Sequence, residues 1–451
     1  MRYILSPGIS LRAFRGVERC YYRSDTINAF PLAEAEFSRL LRCDGTQELP
    51  EDETTRLLLL RGLIRPCEGE WARLLPGQAF RFCDNRYVPY LYLQITGKCN
   101  YNCLHCFNAK DNAALNTEMS LPQILALLDQ AVDCGMHAVT ITGGEPLCHP
   151  DFLRIIEAIR ERELLFSELI TNGSLLTEEI LDRITALGLS PTIKISYDGI
   201  GFHDTMRAHR GAEEAALRAI RLCAGRGFHV LVQCNVNRLN ASCIRETLEL
   251  LDSMGVETAR IIRTSESPRI EHRTELFLPI EEYYSLMTEI LREYAAAPHQ
   301  MQVAVWRFCR FDPAARKFSY PGENIPYRDS LPLCREARGK LSVSAEGIVY
   351  PCIQCSGVFL RDGLELGNVF RTPLREILGD SPFMRFTDCR VAERLEQAEN
   401  EKCRGCAYWE RCRGGCPLLG YGFSETKNWL AADPFACRFY RGGFAERKSE
   451  S

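Results

Sequence analysis

Six short apolar segments alternate with amphipathic segments between residues 88 and 300, and this alternation constrains the fold more than any other feature of the sequence. Each apolar segment lacks a polar face, which is typical of strands buried inside a parallel sheet. Six βα units in sequence require right-handed crossovers and predict an α/β fold, either a doubly wound sheet or a partial barrel. The predicted strands are Leu91–Thr96, Ala138–Thr142, Glu168–Thr171, Thr192–Ser196, His229–Asn235 and Thr258–Ile262.

The regions on either side of this repeat have a different character. Residues 1–84 predict a hairpin, two helices around Leu32–Leu41 and Glu51–Arg61 joined by a turn at Cys43-Asp44-Gly45, and a closing strand. This order is typical of a small winged-helix module. Residues 301–330 have weak periodicity and are predicted to be a linker. Between residues 331 and 440 cysteines and glycines replace the long apolar helices, and residues 441–451 form a predicted tail.

The 451-residue chain contains 22 cysteines, and its charge and hydropathy limit where these residues function. The formal net charge is -4, which argues against a nucleic-acid partner because such binding needs a basic face. No apolar run approaches the ~20 residues that cross a bilayer, and the N-terminus lacks the pattern of a secretory signal. We therefore expect a cytoplasmic protein without a membrane partner. Disulfides are rare in that compartment, so the cysteines indicate metal binding.

The closely spaced cysteines fall into two groups. Cys99, Cys103 and Cys106 form a C-x3-C-x2-C pattern directly after the first predicted strand. Three isolated ligands fit zinc poorly, because zinc takes four, but they fit an iron–sulfur cubane with one open iron. Nine more cysteines lie between residues 334 and 437, and four of them follow a C-x2-C-x5-C-x3-C pattern: Cys403, Cys406, Cys412 and Cys416.

Glycine and polar residues follow the other strands, at the edge where the first cysteine group is expected. A glycine pair lets backbone approach a ligand closely, and Glu145 can accept from an ammonium group, although it is also placed to cap a helix. Ser196 or Asp198 can accept from ribose hydroxyls, and Arg207 can pair with a carboxylate. Together these groups suit an amino acid joined to a nucleoside. The candidate binding residues are Gly143, Gly144, Glu145, Pro146, Asn172, Ser196, Asp198 and Arg207.

The combination of C-x3-C-x2-C, GGEP, TNG and S-x-D-G in six βα units resembles the radical S-adenosylmethionine (SAM) enzymes. The resemblance implies a partial (β/α)6 barrel, a [4Fe–4S] cluster on Cys99, Cys103 and Cys106, and SAM at the open iron. It implies an external electron donor of flavodoxin or ferredoxin type. One electron passed to the sulfonium gives methionine and a 5′-deoxyadenosyl radical, which abstracts hydrogen from a C–H bond. No catalytic acid or base is predicted.

The C-terminal cysteines resemble those of the SPASM extension of these enzymes. The pattern runs from Cys334 through Gly347 to Cys352, continues over the C-x2-C-x5-C-x3-C run and closes at Cys437. The resemblance implies two auxiliary [4Fe–4S] clusters and hence three clusters in all. It assigns Cys334, Cys352 and Cys416 to the first auxiliary cluster. The fourth iron of that cluster is bound by Cys355, bound by Cys309, or left open. The resemblance assigns to the second auxiliary cluster Cys403, Cys406, Cys412 and Cys437.

Residues 1–84 resemble the PqqD-like recognition domain of enzymes that modify ribosomally made peptides. Such domains hold a leader peptide as an added strand. The resemblances together predict a peptide maturase that installs a thioether or carbon–carbon crosslink. One alternative is a sulfatase-maturing, formylglycine-forming enzyme, but Ile353 stands where those relatives usually carry Asp. A second alternative is a small-molecule enzyme of tetrapyrrole or quinone-cofactor assembly. A non-catalytic redox sensor would not need the nucleoside site.

Overall fold

The computed structural model describes residues 1–26, 29–67, 73–75, 77–106, 117–264 and 273–446. We number its strands in chain order: β1 Arg2–Leu5, β2 Ile9–Arg15, β3 Val17–Arg23, β4 Ala29–Pro31, β5 Asp44–Glu48, β6 Ile64–Pro66, β7 Arg81–Arg86, β8 Tyr90–Gln94, β9 Ala138–Thr142, β10 Leu165–Thr171, β11 Thr192–Ser196, β12 Val230–Val236, β13 Thr258–Arg263, β14 Gln302–Val305, β15 Cys309–Asp312, β16 Lys317–Ser319, β17 Lys340–Val343 and β18 Val349–Tyr350.

The helices are numbered in the same way. They are α1 Glu34–Leu40, α2 Glu53–Leu60, α3 Leu121–Asp133, α4 Phe152–Glu161, α5 Glu178–Ala186, α6 His203–Arg207, α7 Ala212–Gly225, α8 Ile244–Ser253, α9 Ile280–Ala296, α10 Arg335–Gly339, α11 Cys355–Arg361, α12 Leu374–Ile377, α13 Pro382–Thr387, α14 Glu393–Glu396, α15 Trp409–Cys412, α16 Pro417–Phe423 and α17 Pro434–Arg441. None of these helices is both long and apolar enough to cross a membrane.

Most of the chain is built around one 11-stranded sheet. Strands β8 to β14 lie side by side in chain order, and each pairs in parallel with the next. Helices α3, α4, α5, α7, α8 and α9 connect them, so the predicted (β/α)6 arrangement is confirmed. The strands bury apolar side chains almost completely, as in Leu91, Ile141 and Ile193, because helices cover the sheet.

The expected linker at residues 301–330 belongs partly to this sheet instead. Strand β14 pairs in parallel with β13, and β15 and β16 extend the edge as antiparallel strands. These strands have only three or four residues each, so they show no clear period in the sequence. On the opposite edge β17 pairs in parallel with β8, which joins the cysteine-rich region to the first strand of the repeat.

The N-terminal region contains two small sheets and two helices. Strands β5, β1 and β6 form one sheet, and β4, β3, β2 and β7 form the other. Both predicted helices are present, as α1 and α2. The predicted turn at Cys43-Asp44-Gly45 is wrong, because Asp44 begins strand β5 and Ile4 of β1 pairs with it. A turn signal of Asp and Gly here coincides with the start of a short edge strand.

His137 fastens the N-terminal region to the large sheet. Its ring Nε2 lies 2.8 Å from the carbonyl oxygen of Arg23 and 2.7 Å from that of Thr26, so this nitrogen carries the proton. The ring stacks on Tyr22 with centroids 4.6 Å apart, and the Tyr22 hydroxyl donates to the carbonyl oxygen of Gly135. Burial lowers the pKa of His137, so the side chain is neutral near pH 7.

The C-terminal region is fastened to the same core. Its apolar residues, such as Phe359 and Phe383, belong to the hydrophobic core that includes the large sheet. Asp388 pairs with Arg338 at 2.8 Å and with Arg86, the last residue of β7. Apolar packing against the large sheet therefore supplies part of the core of the C-terminal region.

Replacing His137 with Ala should lower the free energy of unfolding by about 1–3 kcal/mol at pH 7.5, because two partly buried carbonyls lose their donor. The folded-state pKa of His137 is depressed, so its contribution is present above the ordinary histidine pKa of ~6.5 and is lost as the pH falls below it. Urea unfolding should show that the free energies of unfolding of the variant and wild type differ less at pH 5.5 than at pH 7.5. His229→Ala is the control, because His229 is exposed; equal unfolding curves for both variants would contradict the assignment.

Candidate functional site

The carboxyl ends of β8 to β11 meet at one edge of the sheet, and the loops that follow them hydrogen-bond to one another. The amide of Gly144 donates to the carbonyl of Thr96 at 2.7 Å, and that of Glu145 donates to Lys98 at 2.8 Å. The Asn172 side chain donates to Oδ1 of Asn100 at 2.8 Å. The cysteine loop after β8 is thus held by the loops that follow β9 and β10.

Backbone packing within the site requires glycine at both positions of the Gly143-Gly144 pair. A Cβ on Gly143 would lie 2.6 Å from the carbonyl oxygen of Thr96. A Cβ on Gly144 would lie 2.4 Å from the carbonyl oxygen of Lys98. Any larger residue would push the cysteine loop away from the edge.

The three cysteines of this loop lie in one small apolar cluster. Cys103 is buried, Cys99 and Cys106 are half-buried beside it, and Tyr101 and Ala212 complete the cluster. The loop also packs on the helices after β11, since the amide of Leu104 donates to the carbonyl of Met206 at 3.0 Å. Segments far apart in sequence therefore fix the positions of all three thiols.

The donor set fits an iron–sulfur cluster better than a single ion. Among the described residues, no three His, Cys, Asp or Glu side chains converge on a point where one metal ion could sit. A cubane has a separate iron for each thiolate, so its ligands need not meet. A buried cation also suits anionic sulfur: Nη1 of Arg207 donates to Sγ of Cys103 at 3.7 Å.

Glu145 is fully buried and its carboxylate accepts three hydrogen bonds. Oε1 accepts from the Thr171 hydroxyl at 2.7 Å and from the Leu147 amide at 3.2 Å, and Oε2 accepts from the Asn172 amide at 2.7 Å. The bond to Leu147 caps the short 3-10 helix Pro146–Cys148, so the capping role foreseen as an alternative is present. A carboxylate has about four acceptor positions, which leaves one for a ligand. Burial raises the pKa of Glu145 to about 7.

Asp198 and Arg207 pair with each other, whereas the sequence suggested separate contacts with ribose and carboxylate. Oδ2 of Asp198 lies 2.8 Å from Nε of Arg207, and both side chains are buried. Burial alone raises the pKa of Asp198, but Arg207 together with His105 and His203 outweighs burial and holds the pKa below its ordinary value. The other carboxylate oxygen, Oδ1, accepts from the amide of Asn235 at 3.0 Å.

Two histidines complete the environment of this ion pair. Nδ1 of His203 lies 3.6 Å from Oδ2 of Asp198, and Nε2 of His105 lies 3.8 Å from the same oxygen. Burial lowers the pKa of His105 to about 4, so its ring is neutral near pH 7. Ser196, the last residue of β11, is half-buried two positions before Asp198.

Four of the C-terminal cysteines line one enclosed cavity. Asp433, Trp409 and Gly414 also contribute to its wall. The structure therefore brings together from three separate segments the set expected to hold the second auxiliary cluster: Cys403, Cys406, Cys412 and Cys437.

The cysteines expected at the first auxiliary cluster also lie near one another, and Cys355 is among them. Burial raises the pKa of Cys355, and the neighbouring Cys352 and Cys416 add to the effect. A hydrogen bond from Cys355 lowers the pKa of Cys352 to about 6. Cys309, the other candidate, is buried in β15 among aromatic residues of the core. The geometry favours Cys355 as the fourth member.

Two arginines beside these cysteines were not identified from the sequence. Arg307 follows β14 with a positive φ of 61°, and its guanidinium stacks on the Trp306 ring at 3.9 Å. Burial lowers the pKa of Arg307, whereas the nearby Cys416 raises it. Arg394 in α14 is fully buried. A lone Arg in a charged segment carries no sequence signal of burial, so only the fold reveals either residue.

Comparison with known proteins agrees with this architecture. The Radical SAM superfamily model matches residues 93–251, and the SPASM model, an iron-sulfur cluster-binding domain, matches residues 334–407. An AdoMet-dependent heme synthase of Methanosarcina barkeri is 26% identical over 78% of this chain and 96% of its own length. A PqqA peptide cyclase of Granulibacter bethesdensis is 24% identical over 77% of this chain and 86% of its own length.

The large sheet and both flanking regions also have a counterpart among solved structures. Streptococcus suis SuiB bound to precursor peptide SuiA has a TM-score of 0.66 and 15% identity, covering 96% of this chain and 99% of that chain. At this identity the likeness concerns the fold alone. The sequence matches support one conclusion: the chain carries a radical SAM domain followed by a SPASM domain.

Proposed function

We propose that this enzyme is a peptide maturase that abstracts hydrogen from a ribosomally made precursor peptide and installs a thioether or carbon–carbon crosslink. The observation that carries the proposal is the extent of the likeness to SuiB. A match over 96% of this chain must include most of residues 1–84, which the heme synthase and cyclase alignments do not need to include. SuiB was solved with its precursor peptide, which supports a peptide substrate here.

The N-terminal region offers sheet edges on which a leader peptide would add as a strand. Strands β4 and β5 are edge strands of the two small sheets. An extended peptide bonds to the unpaired backbone of such an edge and is selected by the side chains around it. His137 and Tyr22 fix the sheet that contains β4 to the barrel, so a leader bound along β4 would keep a constant position relative to the carboxyl edge of β8 to β11.

The residues of the candidate site would have separate roles in this reaction. Cys99, Cys103 and Cys106 would hold one cluster, and Glu145 would accept from the ammonium group of SAM. When bound, the cluster and SAM supply the 5′-deoxyadenosyl radical that removes a hydrogen atom from the substrate. Closing a crosslink removes a second hydrogen as a proton and an electron, which requires an electron acceptor. The two C-terminal cysteine sets would hold groups of that kind, giving three [4Fe–4S] clusters.

A tetrapyrrole-modifying enzyme is the second candidate, because the match to a heme synthase covers 96% of that relative. This activity would leave residues 1–84 without a substrate-binding role. Two incubations distinguish these functions. The enzyme, SAM and dithionite are mixed either with a peptide encoded beside the gene or with a tetrapyrrole precursor. Turnover of the tetrapyrrole with an unchanged peptide would reject the peptide assignment.

Replacing Cys99, Cys103 and Cys106 together with Ala should abolish both 5′-deoxyadenosine release and peptide modification, because the radical cluster loses its ligands. Mass spectrometry of the peptide should show the loss of two hydrogens with wild type and no change with the variant. Cys67→Ala is the control, since Cys67 lies apart from both cysteine groups. Continued 5′-deoxyadenosine release by the triple variant would disprove the radical site.

Cys355→Ala should lower the iron content of the reconstituted chain from about 12 atoms, for three clusters, toward about eight. The reason is that Cys355 lies with Cys352 and Cys416, whereas Cys309 lies within the aromatic core. Cys309→Ala should retain the full content and serves as the matched control. Equal iron and sulfide in the two variants would remove Cys355 from the ligand set.

Glu145→Gln should weaken SAM binding about tenfold at pH 8, a loss of about 1.4 kcal/mol. Because burial raises the pKa of Glu145 to about 7, the ionised form that attracts an ammonium group accumulates as the pH rises through that value. Wild-type affinity should therefore increase from pH 6 to pH 8, while that of the variant should change less. Equilibrium dialysis measures both, with exposed Glu161→Gln as the control. A parallel pH response in all three proteins would exclude Glu145 as a SAM contact.

A further inference from the structure

Arg394 is the largest side chain that the described part of the chain buries completely. It lies in the short helix α14, which packs against the cysteine-rich loops. Arginine is almost never fully buried unless it is paired, because removing a guanidinium from water costs several kcal/mol. A compensating group is therefore required nearby.

Part of the compensation comes from the loop that joins the two auxiliary cysteine sets. Nη1 of Arg394 donates to the carbonyl oxygen of Arg413 at 2.8 Å and to that of Gly415 at 3.0 Å. Between them, Gly414 has a φ of +73°, and a Cβ there would lie 2.5 Å from the same Nη1. The loop is shaped around the guanidinium and leaves no space for a side chain at Gly414.

The rest of the guanidinium has no such partner. Nε and Nη2 of Arg394 are buried without a hydrogen-bond partner among the described residues. Burial lowers the pKa of Arg394, and the groups that oppose this effect include three cysteines, one from the first auxiliary set and two from the second. These cysteines are Cys416, Cys412 and Cys403.

Asp433 does not remove the need for further negative charge. Its carboxylate already accepts from the amides of Cys416 at 3.2 Å and Phe435 at 2.8 Å. Thiolate-ligated [4Fe–4S] clusters carry net negative charge, so clusters in the two sets would supply what the buried guanidinium lacks.

We propose that Arg394 is the shared counter-charge of the two auxiliary clusters, a positioning residue that makes the reduction potentials of both less negative. The inference rests on the proposed auxiliary clusters. A fixed positive charge stabilises the reduced, more negative form of a cluster, and charge is one of the factors that set such potentials. Its contacts with Arg413 and Gly415 hold that charge between the sets.

The test is a redox titration of the reconstituted full-length enzyme, followed by electron paramagnetic resonance. Arg394→Gln and Arg394→Met remove the charge, and Met is included because an apolar replacement of a buried ion is often tolerated by the fold. Arg394→Lys keeps the charge. Arg385→Gln is the control, since Arg385 is exposed in the same region.

We expect both charge-removing variants to shift the reduction potentials of the two auxiliary clusters to more negative values. The Arg394→Lys variant should have auxiliary potentials close to those of wild type. The cluster on Cys99, Cys103 and Cys106 should keep its potential in every variant. Unchanged auxiliary potentials in the Gln and Met variants, or an equal shift in the Lys variant, would overturn the proposal. Iron and sulfide analysis of the wild-type enzyme is made first. Iron for only one cluster there would refute the auxiliary clusters themselves, which is a different failure.

Discussion

The parallel pairing of β8 to β14 is the constraint on which the rest of the structure depends. Parallel strands in chain order bring every carboxyl end to the same edge, so loops separated by up to a hundred residues become neighbours. The cysteine loop, the GGEP loop and the TNG loop are then joined by backbone hydrogen bonds from Gly144 and Glu145 and by the side chain of Asn172. The N-terminal and C-terminal regions are attached to this sheet through His137 and β17.

The repeating part of the fold could be predicted from the sequence because its signals are strong and local. Strands β9 and β11 begin and end where the apolar runs do. Strands β14 to β16 were missed, since three or four residues carry no period and their pairing depends on a distant strand. The strand β5 was missed for a related reason: Asp44 and Gly45 are turn formers, but tertiary pairing with β1 overrides that preference.

The site was predictable as a set of residues but less so as a set of contacts. The SPASM resemblance grouped Cys403, Cys406, Cys412 and Cys437, and these four cysteines line one cavity. The sequence did not show that Gly143 and Gly144 pack against backbone, or that Asp198 and Arg207 pair with each other. Those relations depend on which loops meet in space, and residue type alone does not encode them. Arg394 is the clearest case, because its importance follows only from its burial.

The segment from Cys412 to Cys416 has a consequence for how the enzyme matures. Only three residues separate a ligand assigned to one auxiliary set from a ligand assigned to the other, and two of the three are glycines with positive φ. The tether is so short that one set cannot become ordered while the other stays extended. If the two sets hold the proposed clusters, insertion of iron and sulfide into one would order the first ligand of the other, and loss of one centre would loosen the segment that holds the other. On that proposal the C-terminal region is a single unit of assembly and of damage.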